Sequence, residues 1–368
     1  MFALASATFS ENSQTFVRQH GKLIAPNRTV FVSLETPKAP QLPGPHLYLG
    51  EKPAVIIDAT SRRTVSGLNQ LRGPNHIIAG FLREHGVTAM MAEFGGLGYK
   101  LLPAARKADC RYFVHFHGYD ASKEIRKPKT VRRYQKLFKQ AEGFFAPSRF
   151  LANKLIEIGC PEDLITITPC GIEPDAFQLS DRIPQRCLAV GRFVEKKAPH
   201  ITISAFASAA KDWPNAHLDF IGDGPLFEDC KGYVAEHALS DKITLHGAAS
   251  HQKVQGLMQK ASCFLQHSVT AADGDIEGLP VAILEAMSSG LAVVTTRHSG
   301  IPEAVEDGKH GILVDEHDAA AMETAIRTLL ENQQTVEQLG DQARVHVNAN
   351  FSAARSAAII RKKMSLHP

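Results

Sequence analysis

Short apolar runs alternate with amphipathic helical patterns along almost the whole chain, and this alternation limits the possible folds more than any other feature. Strands that alternate with helices indicate parallel sheets covered by helices on both faces. At 368 residues the chain is long for one hydrophobic core and sufficient for two. The sequence therefore predicts an α/β protein built from two doubly wound sheets.

An interruption of this alternation divides the chain. Prolines and turn-forming residues are concentrated at 171–184, so we predict domains at 1–180 and 181–351. Other predicted elements include a strand near 54–58 and helices near 61–71 and 280–289. In open α/β sheets, ligands bind beyond the carboxyl ends of the strands. Polar residues that follow predicted strands are therefore the first candidates for a functional site.

One such loop follows a predicted strand at 187–191 and carries two cations. Arg192 and Lys197 lie five residues apart, directly after Gly191 and before a predicted helix. Charged donors of this kind bind phosphate oxygens strongly. An ordinary basic surface loop is the alternative interpretation. The spacing favours a site that neutralises a diphosphate.

A second loop carries two carboxylates eight residues apart, in the run Glu-Gly-Leu-Pro-Val-Ala-Ile-Leu-Glu. Glu277 lies in the loop, and Glu285 lies about two turns into the predicted helix. Pro280 suits the first helical position, and the start of such a helix attracts an anion. The carboxylates suit sugar and ribose hydroxyls, while the cations suit phosphates. Together the two loops predict a site for a nucleotide-diphosphate sugar.

With these motifs the chain resembles the retaining glycosyltransferases of the GT-B fold, family 4. The resemblance is carried by Gly191, Arg192, Lys197, Glu277 and Glu285. Ala198 stands where that family usually has a glycine. The segments 10–16 and 115–120 are most similar to enzymes of bacterial exopolysaccharide and surface-glycan assembly.

The resemblance implies two Rossmann-like domains that face each other across a cleft. The N-terminal domain would bind the acceptor, the C-terminal domain would bind the donor, and the helix within 352–368 would return to the first domain. The implied activity is that of a metal-independent retaining hexosyltransferase without a cofactor. Its donor would be a nucleotide-diphosphate sugar, with UDP favoured over GDP, and its acceptor a glycan or lipid-linked glycan. The implied donor-binding residues are Gly191, Arg192, Lys197, Gly222, Asp223, Glu277, Gly278, Leu279, Pro280 and Glu285.

The implied catalytic residues are His117, Glu277, Arg192 and Lys197. His117 ends an apolar run and is expected at the carboxyl edge of the first sheet. In the family that the chain resembles, a histidine before a similar glycine lies close to the transferred sugar. His115, two residues earlier, is the competing candidate. Asp120 either contacts the acceptor or caps a turn.

Positive charge is concentrated in the first half of the chain. Residues 1–180 carry 23 Lys and Arg against 15 Asp and Glu, whereas residues 181–368 carry 18 against 23. Within 123–139 the only acidic residue is Glu124. This segment is either a solvated helix face or a docking surface for anionic lipid headgroups or a lipid-linked acceptor. The residues assigned to that docking surface are Arg126, Lys129, Arg132 and Arg133.

Several other kinds of site are disfavoured. Asp273 and Asp275 form a D-x-D pair of the kind that holds a metal on a donor diphosphate, but we interpret them as loop residues because cations are already present. Gly222 and Gly224 lack the third glycine of a dinucleotide fingerprint. The six cysteines form no C-x-x-C pair and indicate reduced thiols. No aromatic residues accompany the basic segment in the manner of a nucleic-acid site.

Two alternative functions are kept open. One is a GT-B epimerase that acts on a nucleotide sugar, and the other is a non-catalytic scaffold that binds one. No apolar run approaches the roughly 20 residues of a membrane span. We therefore expect a cytoplasmic protein that lies peripherally on the inner face of the cell membrane.

Overall fold

The computed structural model describes residues 1–9, 15–35, 42–50, 55–57 and 73–366. Its strands are β1 Phe2–Ser6, β2 Thr29–Ser33, β3 His46–Tyr48, β4 Val55–Ile57, β5 Ala89–Glu93, β6 Arg111–His115, β7 Gly143–Ala146, β8 Ile165–Ile167, β9 Arg186–Val190, β10 His217–Ile221, β11 Ile243–Leu245, β12 Cys263–Leu265, β13 Ala292–Thr296 and β14 Ile312–Val314. Its α-helices are α1 Thr15–Leu23, α2 Pro74–Glu84, α3 Gly95–Ala108, α4 Pro128–Phe138, α5 Arg149–Glu157, α6 Pro199–Ala209, α7 Phe227–Glu236, α8 His251–Lys260, α9 Val281–Ser288, α10 Ile301–Ala304, α11 Ala319–Glu331, α12 Gln333–Asn350 and α13 Ala353–Lys363.

The chain forms two compact units. The first contains Met1–Cys170 together with the segment that begins at Ala353, and the second contains Gly171–Ser352. The division falls at the start of the predicted linker, so residues 171–180 belong to the second unit and not to the first. The chain therefore passes between the units twice.

The first unit is built on an eight-stranded sheet in the order β4-β3-β2-β1-β5-β6-β7-β8. Neighbouring strands are parallel except for β3 and β4, which are antiparallel. The predicted strand near 54–58 is this edge strand, β4. The predicted helix near 61–71 and most of the segment 10–16 lie outside the described residues.

Helix α13 packs in the first unit although it follows the second in sequence. Arg361 donates a hydrogen bond from Nη1 to the carbonyl of Leu23 at 2.7 Å. Arg111 donates from its own Nη1 to the carbonyl of Met364 at 2.6 Å. Buried Ala357 and Ile360 form the apolar side of the helix. Backbone carbonyls and apolar contacts thus anchor α13 in this unit.

The second unit has six parallel strands in the order β11-β10-β9-β12-β13-β14. Successive side chains of a strand point to opposite faces of the sheet. Cys187 and Ala189 of β9 accordingly join one apolar core, and Leu188 joins the other. The sheet is covered on both faces, as expected for near-continuous apolar strands.

The helix that carries Glu285 begins one residue later than predicted. Pro280 has ψ near 119° and forms the cap, so the first helical residue of α9 is Val281. At the other end, Gly290 has φ near 71°, donates to the carbonyl of Met287, and is followed by Leu291, which donates to Ala286. This is a Schellman motif, whose left-handed residue is usually glycine. The assignment of Pro280 as the first helical residue is therefore corrected.

Among the helices of the described residues, none combines the length and the apolar character that crossing a bilayer requires.

Candidate active site

The strand order of the second unit places two loops at one switch point. From β9 the chain winds outward through β10 to β11, and it then returns to β12, which pairs with the other side of β9. The loops that follow β9 and β12 leave the same edge of the sheet because all of these strands are parallel. Such a reversal creates the crevice in which open α/β sheets bind ligands.

These two loops are joined by ion pairs. Lys197 Nζ lies 3.2 Å from Glu277 Oε2, and Lys196 Nζ lies 3.5 Å from Glu277 Oε1. Lys196 also lies 3.1 Å from Asp275 Oδ1. The side chains of Lys197 and Glu277 are each only 12% exposed. The structure thus brings together the predicted residues Lys197 and Glu277 and adds Lys196, which the sequence analysis did not select.

Charge pairing keeps this cluster ionised. Burial raises the pKa of Glu277, but the nearby Lys197 and Lys196 outweigh it and lower the value to about 2. Burial lowers the pKa of Lys197, an effect that Glu277 only partly offsets. Burial also acts to lower the pKa of Lys196, but Glu277 and Asp275 raise it overall. Glu277 is therefore a carboxylate at neutral pH, held by two cations.

Arg192 differs from the two lysines in its surroundings. Its side chain is exposed, and it forms no ion pair with any residue that the structure describes. The side chain of Lys197 instead lies over Gly191, where an added Cβ would stand 3.5 Å from Lys197 Cδ. Of the two predicted phosphate ligands, Arg192 is free to move toward an anion and Lys197 is already paired.

The neighbouring loop after β10 requires glycine at two positions. Gly222 has φ near 148°, and a Cβ placed there would lie 1.8 Å from the carbonyl oxygen of Gly191. Gly224 has φ near 153° and packs against the backbone of Phe193. The exposed Asp223 accepts a hydrogen bond from the Gly224 N–H at 2.7 Å. This loop therefore fixes the position of the loop after β9.

Ala198, which precedes α6, adopts a left-handed conformation with φ near 37° and ψ near 53°. An L-residue with a side chain is disfavoured in this region, whereas glycine is not. This conformation gives a physical reason for the glycine that the family usually has at this position.

Glu285 lies on α9 without a charged partner. Burial raises the pKa of its carboxyl to about 7. Its side chain forms no hydrogen bond or ion pair with the described residues. The partly buried carboxyl of Glu285 is thus available to hydrogen-bond a ligand.

The residues before α9 are held by the rest of the unit. Leu279 packs into the apolar core, and the carbonyl of Gly278 accepts from the Gly300 N–H at 3.1 Å.

The first unit holds a second polar cluster, centred on Glu93 at the end of β5. Its carboxylate is fully buried, with Oε1 2.7 Å from His20 Nδ1 and Oε2 2.9 Å from His117 Nε2. His115 Nδ1 lies 3.6 Å from the same Oε2. Burial raises the pKa of Glu93, but His20 and the hydrogen bonds from His117 and His20 outweigh this and lower it. The sequence analysis did not select Glu93 or His20.

His117 is held on all sides. Its ring contacts those of Phe16 and Phe94, with centroid distances of 4.6 and 4.4 Å. Its Nδ1 lies 3.9 Å from Cys170 Sγ. His115 is completely buried, and burial together with His117 lowers its pKa well below the usual value. His115 is therefore neutral, and both histidines belong to one network.

Asp120 stabilises the loop that contains His117. Its Oδ1 accepts from the His117 N–H at 2.7 Å, and its Oδ2 accepts from the Gly95 N–H at 2.6 Å. The residue is 2% exposed, and burial raises its pKa. Of the two interpretations that the sequence left open, this geometry favours the capping role over direct contact with an acceptor.

Three residues of this cluster have the geometry of a possible metal site. Glu93, His115 and His117 each offer one ligand atom, and these atoms lie within 4.8 Å of one another. A proton on His117 Nε2 can be shared between Glu93 Oε2 at 2.9 Å and His115 Nδ1 at 3.0 Å. His115 then carries its own proton on Nε2, which faces the carbonyl of Thr168 at 3.4 Å. Hydrogen bonding thus accounts for the cluster without an ion.

The basic segment forms a helix with two distinct faces. Thr130, Tyr134, Leu137 and Phe138 of α4 are buried. The exposed face carries Lys129, Arg132, Arg133 and Lys136, which follow the i, i+3, i+4, i+7 spacing of one helix side. Arg133 also lies over the ring of Tyr99, 5.5 Å from its centroid. We call these four cations the α4 stripe. Arg126 is exposed as well and precedes α4 in a short 3₁₀-helix.

Comparison with known families agrees with this architecture. A model described as Glycosyltransferase Family 4 matches residues 34–176, and one described as Glycosyl transferases group 1 matches residues 177–346. Together the two matches span residues 34–346 without a gap. Their boundary lies within the predicted linker 171–184.

Curated relatives of the chain include proteins of bacterial exopolysaccharide synthesis. The amylovoran biosynthesis glycosyltransferase AmsK of Erwinia amylovora is 36% identical over 257 residues, which are 68% of this chain and 63% of AmsK. The putative colanic acid biosynthesis glycosyltransferase WcaL of Escherichia coli K12 is 35% identical over 212 residues, 56% of this chain and 52% of WcaL. The matched region thus spans less than two thirds of each of these relatives.

Solved structures share the fold at low sequence identity. HepE of Anabaena, crystallised with UDP and glucose, has a TM-score of 0.81 at 17% identity, with 99% of each chain covered. Sucrose-phosphate synthase of Thermosynechococcus elongatus has a TM-score of 0.75 at 18% identity, with 98% of this chain and 97% of that chain covered. The predicted fold class, two Rossmann-like domains as in GT-B glycosyltransferases, is confirmed.

Proposed function

We propose that the protein transfers a hexose-type sugar from a nucleotide-diphosphate sugar to a hydroxyl of a glycan or lipid-linked acceptor, with retention at the anomeric carbon. The observation that carries this proposal is the cluster of Lys196, Lys197 and Glu277 at the switch point of the second sheet. Fixed cations and a carboxylate at that point match the phosphates and hydroxyls of such a donor. The names of AmsK and WcaL support the exopolysaccharide context.

In this proposal the donor phosphates bind Arg192 and Lys197, and negative charge grows on them as the sugar leaves. Preorganised charges directed at developing charge usually give the largest catalytic contribution. Glu277 accepts hydrogen bonds from the sugar hydroxyls, and Glu285 accepts them from the ribose. For retention, the acceptor hydroxyl attacks the face that the diphosphate leaves, and a phosphate oxygen takes its proton.

For His117 we propose a positioning role rather than that of a free general base. Glu93 and Cys170 already engage its two ring nitrogens, and two aromatic rings fix its plane. A ring held in this way presents a fixed surface to a bound substrate but has no unengaged nitrogen to accept a proton.

The donor base is left to experiment. UDP is favoured, and HepE was crystallised with it, whereas a relative from Mycolicibacterium smegmatis, 26% identical, is named as GDP-mannose-dependent. A panel of UDP-, GDP- and TDP-sugars should therefore be screened by thermal shift and then by nucleotide release with and without acceptor. Conversion of a UDP-N-acetylhexosamine to its epimer without acceptor would instead identify an epimerase. Binding of a nucleotide sugar without any turnover would identify a scaffold.

We expect turnover to persist in excess EDTA. Asp275 is paired with Lys196 of the loop after β9, and Asp273 accepts a hydrogen bond from the Asp275 N–H at 2.9 Å, so both carboxylates are already engaged. Lys197 and Arg192 supply the positive charge that a divalent cation would provide. Nucleotide release should be measured with EDTA and then with added Mg²⁺ or Mn²⁺. Complete loss in EDTA and recovery with either metal would contradict the metal-free mechanism.

We further propose that the α4 stripe and Arg126 dock on an anionic membrane that presents the acceptor. The protein should co-sediment with anionic liposomes at low salt and dissociate as salt rises, since the Debye length shrinks from about 10 Å at 0.1 M to about 3 Å at 1 M. Changing Arg126, Lys129, Arg132 and Arg133 together to Glu should abolish this binding while donor affinity is unchanged.

A control variant makes the same charge change on exposed lysines of the second unit. Its four substituted residues are Lys211, Lys231, Lys253 and Lys260. Equal loss of liposome binding in both variants would show that net charge, and not the α4 stripe, is responsible. Equal binding to neutral liposomes would also rule out the electrostatic docking surface.

A further inference from the structure

A chain of polar contacts runs along the carboxyl edge of the second sheet, across three neighbouring strands. Glu277 lies near the end of the loop after β12, His298 follows β13, and Glu316 follows β14. These strands are adjacent and parallel, so residues just beyond their ends meet at one edge. None of the motifs described above includes His298 or Glu316.

His298 links the other two residues. Its Nε2 accepts a hydrogen bond from the backbone N–H of Glu277 at 3.1 Å, and its Nδ1 lies 2.6 Å from Glu316 Oε1. A backbone N–H can only donate, so Nε2 carries no proton and Nδ1 donates its proton to Glu316. The imidazole is 1% exposed, so water does not replace either contact. Glu316 therefore fixes the tautomer that Glu277 requires.

Glu316 also binds the beginning of the same loop. Its Oε2 accepts from the Thr270 N–H at 2.7 Å. Burial raises the pKa of Glu316, but the hydrogen bonds from His298 and Thr270 lower it overall, so the carboxylate is charged at neutral pH. One carboxylate thus holds residue 270 directly and residue 277 through His298.

The loop is held from its other side by the segment after β9. Glu195 Oε1 accepts from the Ala272 N–H at 2.7 Å, and Lys196 Nζ donates to the carbonyl of Ile276 at 3.3 Å. The two sides differ in one respect. The contacts of Lys196 and Lys197 involve groups proposed to meet the donor, whereas neither His298 nor Glu316 is proposed to touch the donor.

We propose that His298 and Glu316 are positioning residues that hold the loop between Thr270 and Glu277, so that the Glu277 carboxylate is preorganised to bind the donor sugar. This inference rests on the proposed function and adds two residues to it. A displacement of about 1 Å at a binding group can cost about 10²-fold in rate. Loss of the His298 contact should therefore weaken donor binding and turnover without removing any group that touches the donor.

Two substitutions of His298 separate its two contacts. In His298→Gln the amide oxygen can take the place of Nε2 and accept from the Glu277 N–H. In His298→Asn the shorter amide can take the place of Nδ1 and donate to Glu316, but nothing accepts from Glu277. We expect the Asn variant to raise the Kd for the nucleotide sugar about tenfold or more, and the Gln variant to stay within about threefold of the parent.

Backbone amide exchange gives a second readout that requires no ligand. Peptides that cover residues 270–280 should exchange faster in His298→Asn than in the parent, and His298→Gln should restore much of the protection. Glu316→Gln should speed exchange at both ends of the loop, since Glu316 holds both.

The outcomes are distinct. Parent-like donor affinity in His298→Asn would overturn the proposal, as would equal losses of affinity and thermal stability in the Asn and Gln variants. Faster exchange with unchanged affinity would also overturn it, because the contact would then be structural only. If the parent binds none of the nucleotide sugars, the proposed function fails, while the exchange rates still show whether His298 holds the loop.

Discussion

Arg192→Ala and Lys197→Ala should each lower turnover by about 10²-fold or more. Each substitution removes a fixed positive charge from the position proposed for the departing diphosphate, and single donors to developing negative charge are worth this much in other enzymes. Arg192 is the cleaner probe, since its side chain forms no ion pair in the described part of the chain. Initial rates of nucleotide release at saturating acceptor would measure the effect.

Lys197→Ala has a second consequence, because it leaves the buried Glu277 with Lys196 as its nearest cation. Its thermal stability should therefore be measured beside its rate. Lys211→Ala is a matched control, as it removes an exposed cation of the same unit away from the switch point. Rates near that of the parent in both Arg192→Ala and Lys197→Ala would remove these residues from the proposed site.

Gly222→Ala should destabilise the second unit by about 3 kcal/mol, which is large for a single methyl group. The added Cβ would lie 1.8 Å from the Gly191 carbonyl, and φ near 148° disfavours any L-side chain. Relief requires the loops after β9 and β10 to separate, which would also displace Arg192. Denaturant unfolding would measure the loss of free energy, and donor affinity should fall with it.

Gly232→Ala provides the contrast. Gly232 lies inside α7 with no atom within 4 Å of an added Cβ, so alanine should stabilise the helix by about 0.5–1 kcal/mol. Equal changes in the free energy of unfolding for Gly222→Ala and Gly232→Ala would show that close packing at Gly222 does not contribute to stability.

Features of the fold that depend on local sequence pattern could be predicted from the sequence. The alternation of apolar runs and helical patterns predicted both sheets. Serine is a common helix cap, and Ser148 caps α5 by accepting from the Leu151 N–H at 3.3 Å. Lys197 and Glu277 were assigned to one site because each follows a strand, whereas the ion pair between them was not predicted. The antiparallel direction of β4 could not be predicted in the same way, because a three-residue apolar strand looks alike in either direction.

The residues that were missed depend on contacts distant in sequence. Glu93 belongs to none of the motifs selected from the sequence, and its partners His20 and His117 lie 73 and 24 residues away. His298 and Glu316 occupy ordinary positions after strands, and their connection to Glu277 arises from the strand order. One usable signal was present for three of these residues: Glu93 ends β5, His298 follows β13 and Glu316 follows β14. Listing every polar residue at those positions would have included Glu93, His298 and Glu316.

The packing of α13 in the first unit affects how the protein is made. Ribosomes add about 5–20 residues per second, so the 182 residues of Gly171–Ser352 separate the end of β8 from the appearance of α13 by roughly 10–40 s. During that interval the carbonyl of Leu23 and the apolar surface that receives Ala357 and Ile360 lack their partner. The second unit, which is continuous in sequence, can meanwhile fold to completion. The unit that is synthesised first is thus the last to acquire all of its helices.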